Sequence, residues 1–213
     1  MTLGPAELAA MIEAIARRMS TEREALNRLD AALGDGDHGT NVAAGFSAAA
    51  ADIGGLENPS ASDLWLAMAK AVMNRMGGAS GAIFGTFFLK GVAVLRGKDR
   101  LNKRDMEAVL EAGLQGVKAR GKAEVGDKTM VDALAPAVTA FSRAGGFTEG
   151  WSSAAEAARK GAACTQDLIA RHGRAKYLGE RAIGHIDPGA CTIAFLFEAT
   201  DAWWREAQPI HKR

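Results

Sequence analysis

Cysteine is nearly missing: Cys164 and Cys191 are all that 213 residues hold, which makes neither a disulfide framework nor a metal-ligand pair. Excess charge is missing as well. With 26 basic and 25 acidic residues the formal net charge is +1, so nothing electrostatic argues for nucleic acid or a membrane surface. No basic segment leads into an apolar one in the manner of a signal peptide, and no apolar run of ~18 residues goes uninterrupted; cytoplasm is the expectation. Convincing period-2 alternation is absent, as is a hairpin signal between β-branched runs. Aromatics are few, at 6%. What is plentiful is alanine, which leans towards helix, in a chain long enough for a full core.

Apolar residues recur at helical spacing almost throughout. Gly4-Pro5 opens a helix with Leu8, Met11, Ile12 and Ile15 on one side. Thr21-Glu22-Arg23-Glu24 reads as a capping box for a second helix, which runs through Asp30. Val42, Phe46, Ala49 and Ile53 mark a third. After a linker over residues 54–62, Leu64, Met68, Val72 and Met76 mark a fourth, and Ile83 to Leu95 a fifth. Asn102 caps the next, and Asp127 or Thr129 caps the one after, which carries Pro136 as a kink site. Trp151 to about Ala170 and Cys191 to about Ala207 complete the series, with Trp203-Trp204 as packing residues. The expectation is all-α: one domain, residues 1–213, an antiparallel up–down bundle of about eight amphipathic helices.

One stretch does not fit a packing pattern. Leu33 to Asn41 holds Asp35, Asp37, His38, Thr40, Asn41 and three glycines, and Asp30 stands five residues upstream of Asp35. Three oxygen donors so close suit Mg²⁺ or Mn²⁺, and glycines let backbone N–H groups approach an anion. The same residues also make ordinary turns. A calcium loop is excluded, because Thr40 falls where it needs glycine and Phe46 where it needs the closing glutamate. Asp30 favours the metal reading: it lies on the same helical side as Leu26, where a carboxylate is costly unless paired or metal-bound.

Three further polar turns accompany it: Gly77 to Gly81, Arg120 to Thr129, and the long basic stretch from His172 to Ala190. The second is not a Walker A loop, since Asp127 intervenes before Lys128-Thr129 and a helix, not a strand, precedes it. Each turn lies two helices from the next, so up–down packing gathers all four at one end, with helix N-termini directed at any phosphate bound there.

Taken together, Gly34-Asp35-Gly36-Asp37-His38-Gly39, Gly77-Gly78-Ala79-Ser80-Gly81 with Gly85-Thr86-Phe87-Phe88, Arg120 to Glu124 with Gly126 to Met130, Tyr177 to Arg181, and His185-x-Asp187-Pro188-Gly189-Ala190 resemble the nucleotide-binding L subunit of dihydroxyacetone kinase. The resemblance implies an eight-helix antiparallel barrel with ADP or ATP and two Mg²⁺ at one end. It implies that Asp30, Asp35 and Asp37 hold the metals. It further implies that His38, Gly39, Thr40, Asn41, Ala79, Ser80, Gly121, Met130, Arg174, Asp187, Pro188 and Gly189 line the nucleotide, with His38 as a phosphate-orienting group and no certain catalytic residue.

Implied partners are a K-type subunit that binds the ketose and, in some members, a phosphotransferase-system donor protein that recharges ADP; homo-oligomerisation stays open. Dihydroxyacetone and erythrulose are both open as substrates. Lys128 is a second candidate for phosphate charge beside Arg174. A Mg²⁺-dependent phosphate-ester hydrolase and a non-catalytic helical adaptor plugged by nucleotide are the alternatives.

Overall fold

A computed structural model describes residues 2–207. Each helix is delimited by local chemistry. α1 (Pro5–Thr21) opens with proline at its first position, and the Gly4 amide donates to the Glu7 carboxylate. α2 (Arg23–Ala31) follows after one residue, Glu22. The capping box expected at Thr21 is not formed. Thr21 still belongs to the last turn of α1, and its hydroxyl donates back to the Arg17 carbonyl.

α3 (His38–Gly54) and α4 (Ala61–Arg75) flank the expected linker, and Ser60 and Asp63 form a reciprocal cap at the start of α4. α5 (Gly78–Leu95) begins inside the glycine turn. α6 (Lys103–Gly121) is capped by Asn102 with Asp105 and ends on Lys122 in the left-handed region. α7 (Val131–Arg143) starts where Thr129 Oγ1 accepts the Val131 amide.

Two further boundaries differ from expectation. α8 is Phe147–Cys164, entered through the extended Gly146 and closed by a 3-10 turn at Thr165–Asp167, so it starts and stops earlier than Trp151 and Ala170. The last helix, α9 (Pro188–Ala207), begins three residues before Cys191. Proline at its first position and Asp187, whose carboxylate accepts the Ala190 amide, supply the start that apolar spacing alone does not mark. Between them, Ala175–Ala182 winds as 3-10 helix around Gly179 at φ +57°, in a stretch read as irregular.

Among the described residues there are nine α-helices, and eight close a ring. Neighbours run α1, α3, α4, α5, α6, α7, α8, α9 and back to α1, while the short α2 lies across one end against α3 and α9. Polar contacts fix the other end. Leu3 pairs with Leu101, Lys103 Nζ donates to the Ser142 carbonyl, and Trp204 Nε1 donates to Thr148 Oγ1. Helix starts and stops alternate around the ring, as an up–down barrel requires.

The few aromatics are concentrated where they fill the ring. Phe141 stands 4.5 Å from Trp151, with Phe147 and Trp204 beside them; Phe46, Trp65 and Phe87 surround Phe88. Such pairs add about 0.5–1.5 kcal/mol each beyond the area they bury. α5 is the helix, among the described residues, long and apolar enough to cross a membrane, but half of it is buried in the barrel wall.

Glycines let neighbouring helices touch. At Gly161 on α8, a side chain would run into the Asp132 carbonyl of α7 and stand 2.9 Å from Ala133 Cα. Gly161→Ala is therefore expected to cost about 1–3 kcal/mol by overpacking. At about 2–4 °C per kcal/mol for a chain of this size, a thermal melt followed by far-ultraviolet circular dichroism resolves the loss. An unchanged melting temperature would show that α7 and α8 are not packed this closely.

Candidate functional site: the carboxylate rim

Asp30 sits in the last turn of α2, and its Oδ2 accepts three backbone amides from the loop that follows: Gly36 at 3.0 Å, Asp37 at 3.1 Å and His38 at 3.2 Å. The side chain expected to be costly is thus half-buried and pinned. It also serves as the N-cap that α3 lacks locally, since Asp37 makes no cap bond of its own. Gly34 is required here, because a Cβ would stand 2.6 Å from Asp30 Oδ1. This fold-back brings oxygens of Asp30, Asp35 and Asp37 within 4.8 Å of one another. Three carboxylates at such spacing are a hard-oxygen donor set, and they fit a divalent cation such as Mg²⁺.

Arg174 reaches across from the long segment and pairs with Asp35. Leu33 packs with Ala170 and Ala182, flanked by Ala175 and Leu178, so that segment is docked on the acidic loop by a small apolar cluster. The expected joining of these two turns is present.

His38 is only 8% exposed and turned inward. Its Nε2 lies 2.9 Å from Thr192 Oγ1, and that hydroxyl already donates to the Pro188 carbonyl. The imidazole is therefore the donor, with its proton on Nε2. Burial pushes its pKa down against the pull of Asp30 and Asp37, which keeps the ring neutral. A hydrogen bond from Nε2 to phosphate would require breaking this seam between α3 and α9.

Gly39 also has a packing role. A Cβ there would drive into the Arg23 carbonyl and stand 2.9 Å from Asn27 Oδ1. Asn27 clasps Thr40, accepting its amide at 3.0 Å and donating to its hydroxyl at 3.0 Å.

The Gly77 turn does offer open backbone. Gly77 and Gly78 have φ of +65° and +56° with free space where side chains would stand. Exposed Ala79 and half-buried Ser80 lie in the first turn of α5. Phe84 of the next turn stands 6.4 Å from the His38 ring, and Ile83 contacts the Gly121 position at 3.7 Å. The place where Gly189 would carry a Cβ is 3.6 Å from Met130 Cβ, so the 121–130 turn meets the start of α9.

Lys128 is not a rim cation. It is 1% exposed, with φ +59°, and its ammonium donates at 2.5 Å to the carbonyls of both Thr165 and His185. It ties the long segment down. Beside it Asp132, which sequence reasoning passed over, accepts the Gly126 and Thr129 amides, and Asp127 accepts the Glu124 amide and pairs with His172. Backbone hydrogen bonding holds the Asp127 carboxyl below its usual range. Asp187, under the same rim, has its pKa raised to about 7 by burial. Two surface hollows lie elsewhere among the described residues. One, of about 690 Å³, is at the opposite end beside Lys103 and Phe147; the other, about 410 Å³, is in the outer groove between α8 and α9.

Residues 32–202 match the family model described as the DAK2 domain. The chain is 38% identical over 182 residues to the ADP-binding subunit DhaL of PEP-dependent dihydroxyacetone kinase 1 from Listeria innocua, covering 85% of this chain and 88% of that one. It is 36% identical over 183 residues to the ADP-binding subunit DhaL of the PEP-dependent dihydroxyacetone kinase from Escherichia coli, covering 84% and 87%. It is also 35% identical over 196 residues to the L-erythrulose 1-kinase of Mycolicibacterium smegmatis, covering 90% of this chain and 34% of that longer enzyme. Among solved structures, the dihydroxyacetone kinase from C. freundii in complex with AMP-PNP and Mg²⁺ superposes with a TM-score of 0.73 at 30% identity, covering 95% of this chain and 34% of that one.

Asp187 yields a prediction of definite sign. Its native pKa of about 7 stands above its ordinary 3.8, so between those values the native state keeps a proton that the unfolded state has released. Its contribution is complete below the ordinary value and is lost as pH rises through about 7. Melted without nucleotide, wild type should therefore lose stability between pH 4.5 and 7.5 relative to Asp187→Asn, which keeps a capping oxygen but cannot ionise. Parallel curves for the two proteins would show that this carboxyl is not raised.

Proposed function

The chain belongs to the DAK2 domain family, and on that footing we propose that it is the nucleotide-binding, phosphoryl-transferring subunit of a small-ketose kinase. In this reading it presents Mg–ADP or Mg–ATP at the carboxylate rim to a ketose held on a separate K-type subunit. The observation that carries the reading is the oxygen trio, held by one carboxylate that accepts three amides, on the end where the polar turns meet. Dihydroxyacetone is the favoured acceptor. Relatives named PEP-dependent or PTS-dependent support ADP as a resident cofactor recharged by a donor protein. Cytoplasmic residence belongs to the same proposal and is supported by two unbridged cysteines.

Asp30, Asp35 and Asp37 would hold two Mg²⁺, and such ions supply charge neutralisation and an in-line clamp on the transferring phosphoryl group. The protein's own part is positioning. Asp30 orients the other two carboxylates by fixing the loop backbone between them. The uncapped amides at the start of α5, opened by Gly77 and Gly78, face outward for phosphate oxygens, with Ala79 and Ser80 in the same turn. Thr40 and Asn41 sit on the first turn of α3, and Thr40 is held in register by Asn27. Met130, Asp187, Pro188 and Gly189 form another wall, where the apolar Met130 suits a base, and Gly121 stands beside Ile83 of α5. His38 supports this wall through Thr192 of α9, and Gly39 lets the first turn of α3 lie against α2. Phosphoryl transfer demands little covalent chemistry of the protein, which agrees with a site that has no activated nucleophile.

Calorimetry with ADP tests the reading. Binding should require Mg²⁺, and Asp30→Asn, Asp35→Asn and Asp37→Asn should each weaken it by at least the ~10–100-fold typical of changes around a metal site. Asparagine at position 30 also weakens the three amide bonds, so the losses in Asp35→Asn and Asp37→Asn are the ones that isolate the metal role. Mixed with ATP, Mg²⁺ and dihydroxyacetone, the chain alone should yield no triose phosphate; a cognate K-type subunit, with its donor protein where ADP is fixed, should start the reaction. Mg²⁺-independent ADP binding, or ketose phosphorylation by this chain alone, would sink the proposal.

A further inference from the structure

The pair between Arg174 and Asp35 spends a metal-site carboxylate on a guanidinium, and burial does not compel it: the two side chains are 64% and 49% exposed. Two features make it more than a chance surface contact. First, the trio crowds negative charge within 4.8 Å, so a cation is favoured there at all times. Second, the backbone around Arg174 is held in place. Ala170, Ala175, Leu178 and Ala182 pack with Leu33, two residues before Asp35, and the Tyr177 amide donates to the Arg174 carbonyl. The guanidinium is delivered to Asp35 by a docked segment.

We propose that Arg174 is the resident counter-cation of the carboxylate trio, displaced from Asp35 when metal arrives with nucleotide, and that it thereby couples the two binding events. This rests on the nucleotide-binding reading above. The guanidinium holds Asp35 Oδ2, and a divalent ion that takes this oxygen must displace it. A divalent ion arriving alone competes with Arg174 for Asp35 and brings no new anion for the guanidinium. An ion arriving with a nucleoside diphosphate brings phosphate oxygens, and these match the planar fork of the released side chain. Metal and nucleotide then each strengthen the other by more than their direct bond, and the coupling is reciprocal.

The test uses Mn²⁺ as a spectroscopic probe on the full chain, counting free ion by electron paramagnetic resonance with and without ADP. Arg174→Gln should bind Mn²⁺ alone about two- to fivefold more tightly than wild type, the factor expected for removing an exposed ion pair. The same variant should bind Mn²⁺–ADP more weakly. Arg174→Lys keeps the charge without the fork and should fall between the two on both measures. A merely structural arginine would weaken both states on removal, so the opposite signs are diagnostic. Unchanged or weaker binding of Mn²⁺ alone by Arg174→Gln, with wild type still binding Mn²⁺–ADP, overturns the counter-cation role and leaves the nucleotide reading standing. A wild-type chain that binds neither Mn²⁺ nor Mn²⁺–ADP overturns both.

Discussion

One carboxylate oxygen organises the functional end of this molecule. Asp30 Oδ2 gathers the amides of Gly36, Asp37 and His38, and in doing so it turns the chain from α2 into α3. Hydrogen bonds to a charged acceptor are about twice as strong as neutral ones, and three on one oxygen leave the loop little freedom. The positions of Asp35 and Asp37 follow from it, and so does the direction in which α3 leaves the rim. A helix that would otherwise start with orphan donors starts on a group borrowed from the previous helix. The cost is that a single side chain carries both backbone order and the charge of the site.

The rest of the barrel serves to bring helix ends together. Three turns that are far apart in sequence are joined to one another or to α9 by specific bonds: Arg174 to Asp35, His172 to Asp127, Lys128 to His185, and His38 to Thr192. Each crosses from one helix pair to another. The site is a shared property of the ring, while the apolar interior, with its aromatic clusters, sets how far apart the ends stand.

Much of this was legible in the sequence, for reasons that also explain the misses. Helices with strong stripes, such as that carrying Val42, Phe46, Ala49 and Ile53, are visible because burial imposes the 3.6-residue period. The acidic loop stood out because no packing demand calls for its composition. Boundaries were less visible. Thr21 has the residue type of a cap, but its hydroxyl is taken by the turn behind it. α9 begins at Pro188 because Asp187 folds back on Ala190, a bond that apolar spacing does not encode. The roles of His38, Gly39 and Lys128 were hidden for a different reason. Each is decided by a partner far away in sequence or on another helix: Thr192, the Arg23 carbonyl, and the carbonyls of Thr165 and His185. Asn27, Asp132 and Thr192 were passed over because, singly, they look like ordinary polar residues on helices.

The order of helices around the ring has a kinetic side. Nearly every wall is built by sequence neighbours, and apart from the long segment between α8 and α9 the connections are short, so their closure entropy is small. The wall that sequence neighbours do not build is the seam where α9 meets α1 and the short α2, with Arg18 reaching Glu198 across 180 positions of chain. A barrel made this way assembles as a growing arc, fast because its contacts are local, and shuts only when the last helix arrives. The His38–Thr192 bond beside that seam belongs to the same late step. The end that carries the acidic loop therefore comes into being together with the closure of the cylinder, and a chain released before α9 has formed would have that loop without the wall that α9 provides.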